Sequence, residues 1–255
     1  MTTGEKTSLF LRSLLLQSAF GPERCQALGF AWALDPWLVK VWGRDAAALA
    51  DARARHLACF NTNPYAVGFV LGMACRLEEE AAAAPAAERA ARLARATTLK
   101  TAASTGLAGA ADSFFWGALR QALAFAAVLT ALGLYRAGFE AWATAPVALY
   151  AAGWNGPALW ARWKGLTQGY AGGEKGVLEV CKLPAAEAAL KLRLAAIGLG
   201  AASVFAALYS TALHENARWL GGLAFLLAAA APERIGPWGV AGAMGVLRAV
   251  WEGGL

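Results

Sequence analysis

Charge is scarce in this 255-residue chain: Asp, Glu, Lys and Arg together make up 16% of it, where soluble domains sit nearer a quarter. Hydrophobic residues reach 58% and mean hydropathy is +0.44. So few polar groups cannot cover a folded surface, which leaves lipid or partner subunits to cover it. β-Branched residues are too sparse for a strand-rich fold and no internal repeat is present, so the expected class is all-α. Histidine is reduced to His56 and His214; far apart and without a local ligand pattern, they argue against a metal site. The four cysteines, Cys25, Cys59, Cys75 and Cys181, have no CxxC or other ligand spacing and read as small apolar fillers. There is no Ser-His-Asp set, no Walker loop and no Gly-rich nucleotide fingerprint. The stretch AGGEKG lacks the trailing Lys-Ser/Thr and reads as a flexible turn. No cofactor is expected.

Tryptophan, by contrast, is plentiful: eleven residues, as befits a membrane–water interface. The net charge of +6 and pI near 9.4 fit the Lys/Arg excess of cytoplasmic loops. Nucleic-acid binding would need a basic stripe interleaved with exposed aromatics, and none is present. The N-terminal run TSLFLRSLLLQSAF is broken by Arg12 and lacks a small-x-small cleavage site, so it is expected to be retained.

By texture the chain divides into an amphipathic, charged part, residues 1–100, and a mainly apolar part, residues 101–255. Residues 8–20 carry an amphipathic helical stripe of Phe10, Leu11, Leu14, Leu15 and Ala19. A second helix is expected over 22–42 with Pro36 bending it, and a third over 45–59, ending at the turn signal FNTNPY. The following dozen apolar residues, YAVGFVLGMACRL, rise only ~18 Å as a helix, short of the ~30 Å hydrocarbon core. They suit a re-entrant or protein-buried position. Residues 81–96 read as a solvated helical arm bearing Arg89, Arg92 and Arg95. In the second part the best span is 195–213, free of charge. Residues 121–135 and 143–160 are shorter or broken, and two apolar runs, 219–231 and 235–251, close the chain. Broken apolar segments at membrane depth are tolerated where they line a cavity or are covered by protein. Lys175, Lys182, Lys191 and Arg193 precede the 195–213 span, which places that side in the cytoplasm.

Three tracts carry candidate chemistry. In Phe60-Asn61-Thr62-Asn63-Pro64, two carboxamides and a hydroxyl offer uncharged donors and acceptors, which sugar hydroxyls need; equally, the Asn residues serve as helix caps. In Glu78-Glu79-Glu80 a carboxylate facing a cavity would accept two sugar hydroxyls; the alternative is a solvated acidic helix end. The stretch LKTAASTGLAGAADSFFWGALR brings small residues, then Asp112, Trp116 and Arg120. Asp112 and Arg120 are costly in apolar surroundings unless paired or wet. Their spacing of just over two turns lets them share a face without touching. Trp116 either stacks on a sugar ring or anchors at the interface.

In this order, these tracts resemble the IID membrane subunit of the mannose-family phosphoenolpyruvate-dependent sugar phosphotransferase system. The resemblance runs through FLRSLLLQSAFGPERCQALGFAWAL, with Gln17, Glu23-Arg24 and Gly29-Phe30, and RHLACFNTNPYAVGFVLGMACRLEEE. It continues with Lys100, LAG-x-x-DSFFWGALR, Asn155, Arg162-Trp163, Gly165-Leu166 and Gly169-Tyr170. It implies a polytopic protein of the bacterial inner membrane, paired with a IIC subunit, typically three of each, that forms the path of a hexose or hexosamine. Transport would be elevator-like, with phosphoryl transfer on separate cytoplasmic IIA and IIB components and no enzymatic role for this chain. It makes Asn61, Asn63, Glu78 and Glu79 candidates for the sugar-proximal site, and Gln17, Lys100, Asp112, Trp116, Arg120 and Asn155 candidates for a structural core beside it. The chain departs from the pattern at Gly109-Ala110-Ala111, usually Gly-(Ile/Val)-Gly; at Ser104-Thr105-Gly106, usually Met-Gly-Pro; and at Ala158, usually Arg. These departures motivate the alternative of a non-transporting scaffold or regulatory subunit.

Overall fold

The computed structural model describes residues 1–142, 144–181 and 185–210. The runs 219–231 and 235–251, the end of the 195–213 segment, His214 and Lys182 lie outside them. Every regular element among the described residues is helical. The α-helices are α1 Thr3–Ser13, α2 Ala27–Trp42, α3 Ala46–His56, α4 Val67–Ala83, α5 Ala86–Ala111, α6 Arg120–Arg136, α7 Ala145–Cys181 and α8 Ala185–Ser210. A π-helical stretch, Asp112–Leu119, joins α5 to α6, and a short 3₁₀ turn, Glu140–Trp142, precedes α7. The helices pack as two compact units. One comprises Met1–Phe115 and Asn155–Ala186; the other comprises Trp116–Trp154 and the described chain from Glu187. The textural boundary near residue 100 is thus not a packing boundary, because the later segment 155–186 returns to the first unit.

The starts of the first helices follow local chemistry. Thr2 caps α1 in a reciprocal box with Glu5, and Asp45 caps α3 by accepting the Ala48 N–H at 3.0 Å. Helix α1 ends at Ser13, earlier than the stripe to residue 20 suggests, and gives way to turns. Helix α2 begins at Ala27 rather than 22, because residues 21–25 close a small loop of their own. Pro36 lies inside α2. It has no N–H for the carbonyl four residues back, and Arg12 donates to that carbonyl, Trp32 O, at 3.0 Å, with its guanidinium over the Trp32 ring.

Helix α4 is the axis of the first unit. Twelve of its 17 residues are buried, from Val67 to Ala81, as expected of a helix that is apolar all round. Its rise of ~25 Å does not reach across a hydrocarbon core; it is covered by protein. Phe30, Leu34, Trp37 and Leu38 of α2, Leu9 of α1, Leu107 of α5 and Leu166 of α7 share its core. Against α7 the two backbones touch. A Cβ at Gly68 would lie 2.0 Å from Arg162 O, at Gly72 2.2 Å from Leu166 O, and at Gly169 2.0 Å from Phe69 O. Past this crossing, α7 breaks at Gly173, whose φ of 49° suits glycine alone.

One helix among the described residues, Ala86–Tyr135, is long and apolar enough to cross a membrane, and its apolar window is mostly exposed. It joins the expected solvated arm to the 121–135 segment through the π-helical stretch. The 195–213 segment, expected as the best span, lies partly outside the described residues.

Candidate functional site

Two polar clusters lie at opposite ends of α4. At its N-terminal end the FNTNP turn is built from four directions. The Gln26 carboxamide clamps the Thr62 backbone, donating to its carbonyl at 2.9 Å and accepting its N–H at 3.0 Å. The Thr62 hydroxyl donates to Ser104 O at 3.0 Å. Asn63, 1% exposed, accepts the Tyr65 N–H at 2.9 Å and donates its amide to Asp112 at 2.7 Å. Helix α4 has no side-chain cap of its own, so the Asn63 acceptor organises the turn into it. The rings of Tyr65 and Phe115 meet at 4.9 Å, and Asn61 and Asp112 are exposed.

At the other end Glu78 is 2% exposed and surrounded by donors. Trp42 Nε1 donates at 2.7 Å, Arg55 at 2.9 and 3.2 Å, and His56 Nε2 lies 3.0 Å away. Burial pushes the Glu78 carboxyl up, but the hydrogen bonds and charges of His56 and Arg55, with the Trp42 donor, outweigh it and hold it below its usual value. Burial pushes His56 down, and the nearby Lys100 and Arg55 add to that against the pull of Glu78. We assign His56 as neutral with the proton on Nε2: its Nδ1 is buried without a hydrogen-bond partner among the described residues, and a proton there would meet no acceptor among them. Glu79, half-buried, accepts the Tyr170 hydroxyl at 2.6 Å and pairs with Lys40 at 3.5 Å. Glu80 pairs with Arg76 along α4.

The four residues expected at the sugar therefore do not meet. From Val67 to Glu78 the axis of α4 rises about 16 Å, so Asn61 and Asn63 belong to one end and Glu78 and Glu79 to the other. Of the expected structural core, Lys100 is buried; it donates to Arg55 O at 3.3 Å, the last turn of α3, beside the Phe30 and Phe60 rings. Gln17, Asp112, Trp116, Arg120 and Asn155 are exposed on this chain. Asp112 is held by Asn63, and Arg120 lies over Trp116 at 5.5 Å.

The sequence model of the PTS mannose/fructose/sorbose family IID component matches residues 1–222. The chain belongs to this family. Among curated relatives, the fructose permease IID component of Bacillus subtilis (strain 168) is 33% identical over 133 residues, 52% of this chain and 46% of the relative. The mannose-specific EIID component of Escherichia coli (strain K12) is 33% identical over 124 residues, 49% of this chain and 42% of the relative. The sorbose-specific EIID component of Lacticaseibacillus casei is 31% identical over 173 residues, 68% of this chain and 57% of the relative. The chain spans about half the length of the first two relatives. A solved membrane protein superposes with a TM-score of 0.75 at 23% identity, covering 100% of this chain and 98% of that one. A chain from the structure of the mannose transporter ManYZ with microcin E492 superposes with a TM-score of 0.57 at 23% identity and the same coverage. At that identity the likeness is one of fold.

In this IID-family chain, several site residues escaped the sequence reading. Gln26, Ser104 and Tyr170 reach their partners across 36, 42 and 91 positions, and no local pattern announces such pairs. His56, expected to stand alone, sits against Glu78; Arg55 and His56 on the last turn of α3 carried a signal only in the family stretch beginning there. Cys75 is buried, as an apolar filler would be, but Cys59 is exposed and Cys25 half-buried.

Proposed function

We propose that this chain is the IID subunit of a sugar permease of the bacterial inner membrane, polytopic and assembled with a IIC subunit in trimeric symmetry. Together they bind and translocate a hexose or hexosamine, while cytoplasmic IIA and IIB components transfer the phosphoryl group. The observation that carries the reading is family membership over residues 1–222, joined to the Asn63–Asp112 pair at the foot of α4. There the exposed Asn61 amide and the Asp112 carboxylate offer a sugar both donors and acceptors. Asn63 positions Asp112. Glu78 and Glu79, a helix length away, act by holding α2, α3, α4 and α7 together.

The test is uptake of radiolabelled sugar by cells carrying cognate IIA, IIB and IIC components. Asn63→Ala is expected to raise the KM for sugar at normal membrane levels of the protein. Glu79→Ala is expected to lower the amount of assembled protein with KM unchanged. Normal uptake by Asn63→Ala sinks the site assignment. A second reading, a scaffold that no longer transports, is favoured by Ala158, 2% exposed where the family pattern has an arginine. It predicts intact assembly with IIC and no uptake by the unaltered chain.

A further inference from the structure

The turn at residues 21–26 and the segment entering FNTNP meet through a short backbone contact. Cys25 N–H donates to Gly21 O at 2.7 Å and Gly21 N–H to Cys25 O at 3.2 Å, closing a small loop. Against this loop, Gln26 N–H donates to Phe60 O at 2.8 Å and Phe60 N–H to Arg24 O at 3.4 Å, pairing Cys25 with Phe60 as a parallel bridge. The bridge brings the backbone at Cys59, the residue before Phe60, alongside that at Cys25. Cys59 is exposed and Cys25 half-buried; Cys25 lines an open depression with Gly21, Pro22, Glu23 and Arg24. Cys25 has φ 51°, the left-handed region that a side chain disfavours and glycine takes freely. A thiol thus stands where backbone geometry argues against any side chain.

We propose that Cys25 and Cys59 are a modification site: a hydroperoxide oxidises Cys59, and Cys25 resolves it into a reversible intramolecular disulfide. The exposed Cys59 reacts first. Its thiolate attacks one peroxide oxygen, the O–O bond breaks, and hydrogen peroxide leaves a sulfenic acid and, after proton uptake, water. The Cys25 sulfur then attacks the Cys59 sulfur; the S–S bond forms, the S–O bond breaks, and hydroxide leaves with the Cys25 proton as a second water. Two thiols and one peroxide give one disulfide and two waters. Burial, then the neighbouring Cys59, hold the Cys25 thiol above its usual range, consistent with a resolving rather than an attacking role. The crosslink closes a loop containing α2 and α3 and ties Phe60 to the turn that clamps Thr62, independently of which sugar, if any, the chain carries.

The experiment treats membranes containing the full chain with hydrogen peroxide, blocks free thiols with N-ethylmaleimide, and maps peptides by mass spectrometry without reduction. The expected result is a peptide pair joined through Cys25 and Cys59 of one chain, lost on adding dithiothreitol, with Cys75 never joined. In the Cys25→Ser variant, dimedone should then capture Cys59 as a sulfenic acid. The proposal is overturned if Cys59 advances to sulfinic acid while Cys25 is recovered as a free thiol. It is equally overturned if Cys59 joins only the Cys59 of a second copy, or if neither thiol reacts.

Discussion

Glu78 shows how a single side chain ties several helices. Its carboxylate, buried on α4, is held by Trp42 from α2 and by Arg55 and His56 from α3. Removing it strands Arg55 beside a buried imidazole, and breaking such a buried pair costs about 3–5 kcal/mol; Glu78→Ala should lose about that much stability in detergent-solubilised protein. The same cluster sets a pH dependence. His56 titrates below its usual 6.5 and Glu78 below its usual 4.5, so on acidification the unfolded chain takes up each proton before the native one does. Stability is therefore complete above the ordinary imidazole range, falls as pH drops through it, and falls again through the carboxylate range. The midpoint of thermal unfolding should be lower at about pH 5 than at about pH 7.5, and His56→Gln should flatten that difference. Equal midpoints in the native chain at both pH values would remove the assignment of His56 as neutral.

Among the elements, α4 was the most legible in sequence and the π-helical stretch the least. The run YAVGFVLGMACRL is too short to span and too apolar to be exposed, which led to the protein-buried position that α4 occupies. The caps at Thr2 and Asp45 are likewise local, set by residues three positions apart. The path from α5 through Asp112–Leu119 into α6 was not legible. Small residues followed by aspartate and aromatics fit a helix end or a π-helical turn, and only the distant Asn63 fixes Asp112 where it lies. The polar site was half legible for the same reason: FNTNP announced itself by composition, whereas Gln26 and Ser104 did not. The crossing of α4 and α7 yields a sharp test. Gly72 meets the Leu166 carbonyl closely enough that any Cβ must drive the helices apart, and overpacking of this kind costs about 1–3 kcal/mol or more. Gly72→Leu should abolish the folded species seen by size-exclusion chromatography in detergent. Gly4→Ala, at an open position on α1, should leave it intact and gain up to about 1 kcal/mol of helix propensity. Equal behaviour of the two variants would mean that this backbone contact is not formed.

At the scale of the whole chain, both units expose apolar side chains among the described residues. Val128 and Tyr135 on α6, Trp142, Val147 and Leu149 around the start of α7, Trp160 further along it, and Leu190, Leu194 and Ile197 on α8 are all exposed. Exposed apolar area on this scale marks a surface covered by lipid or protein, and tryptophans among it suit the headgroup boundary. The long helix Ala86–Tyr135 concentrates the argument. Its first turns carry Glu88, Arg89, Arg92 and Arg95, with Arg92 on Glu88 and Arg95 on Glu174; Lys100, Asp112 and Arg120 follow, and the turns from Leu123 to Leu134 carry no charge. A charge at mid-membrane raises the cost of insertion by about 2.5–3.5 kcal/mol on translocon scales, so the position of a new arginine reports whether this stretch lies in lipid. Membranes from cells expressing the chain, washed with alkaline carbonate, should retain it in the pellet. Val128→Arg should reduce the inserted fraction, whereas an additional arginine near the start of the helix, Ala91→Arg, should leave it unchanged. Release of the unaltered chain into the carbonate supernatant would overturn the membrane assignment, and equal insertion of both variants would move the span away from α6.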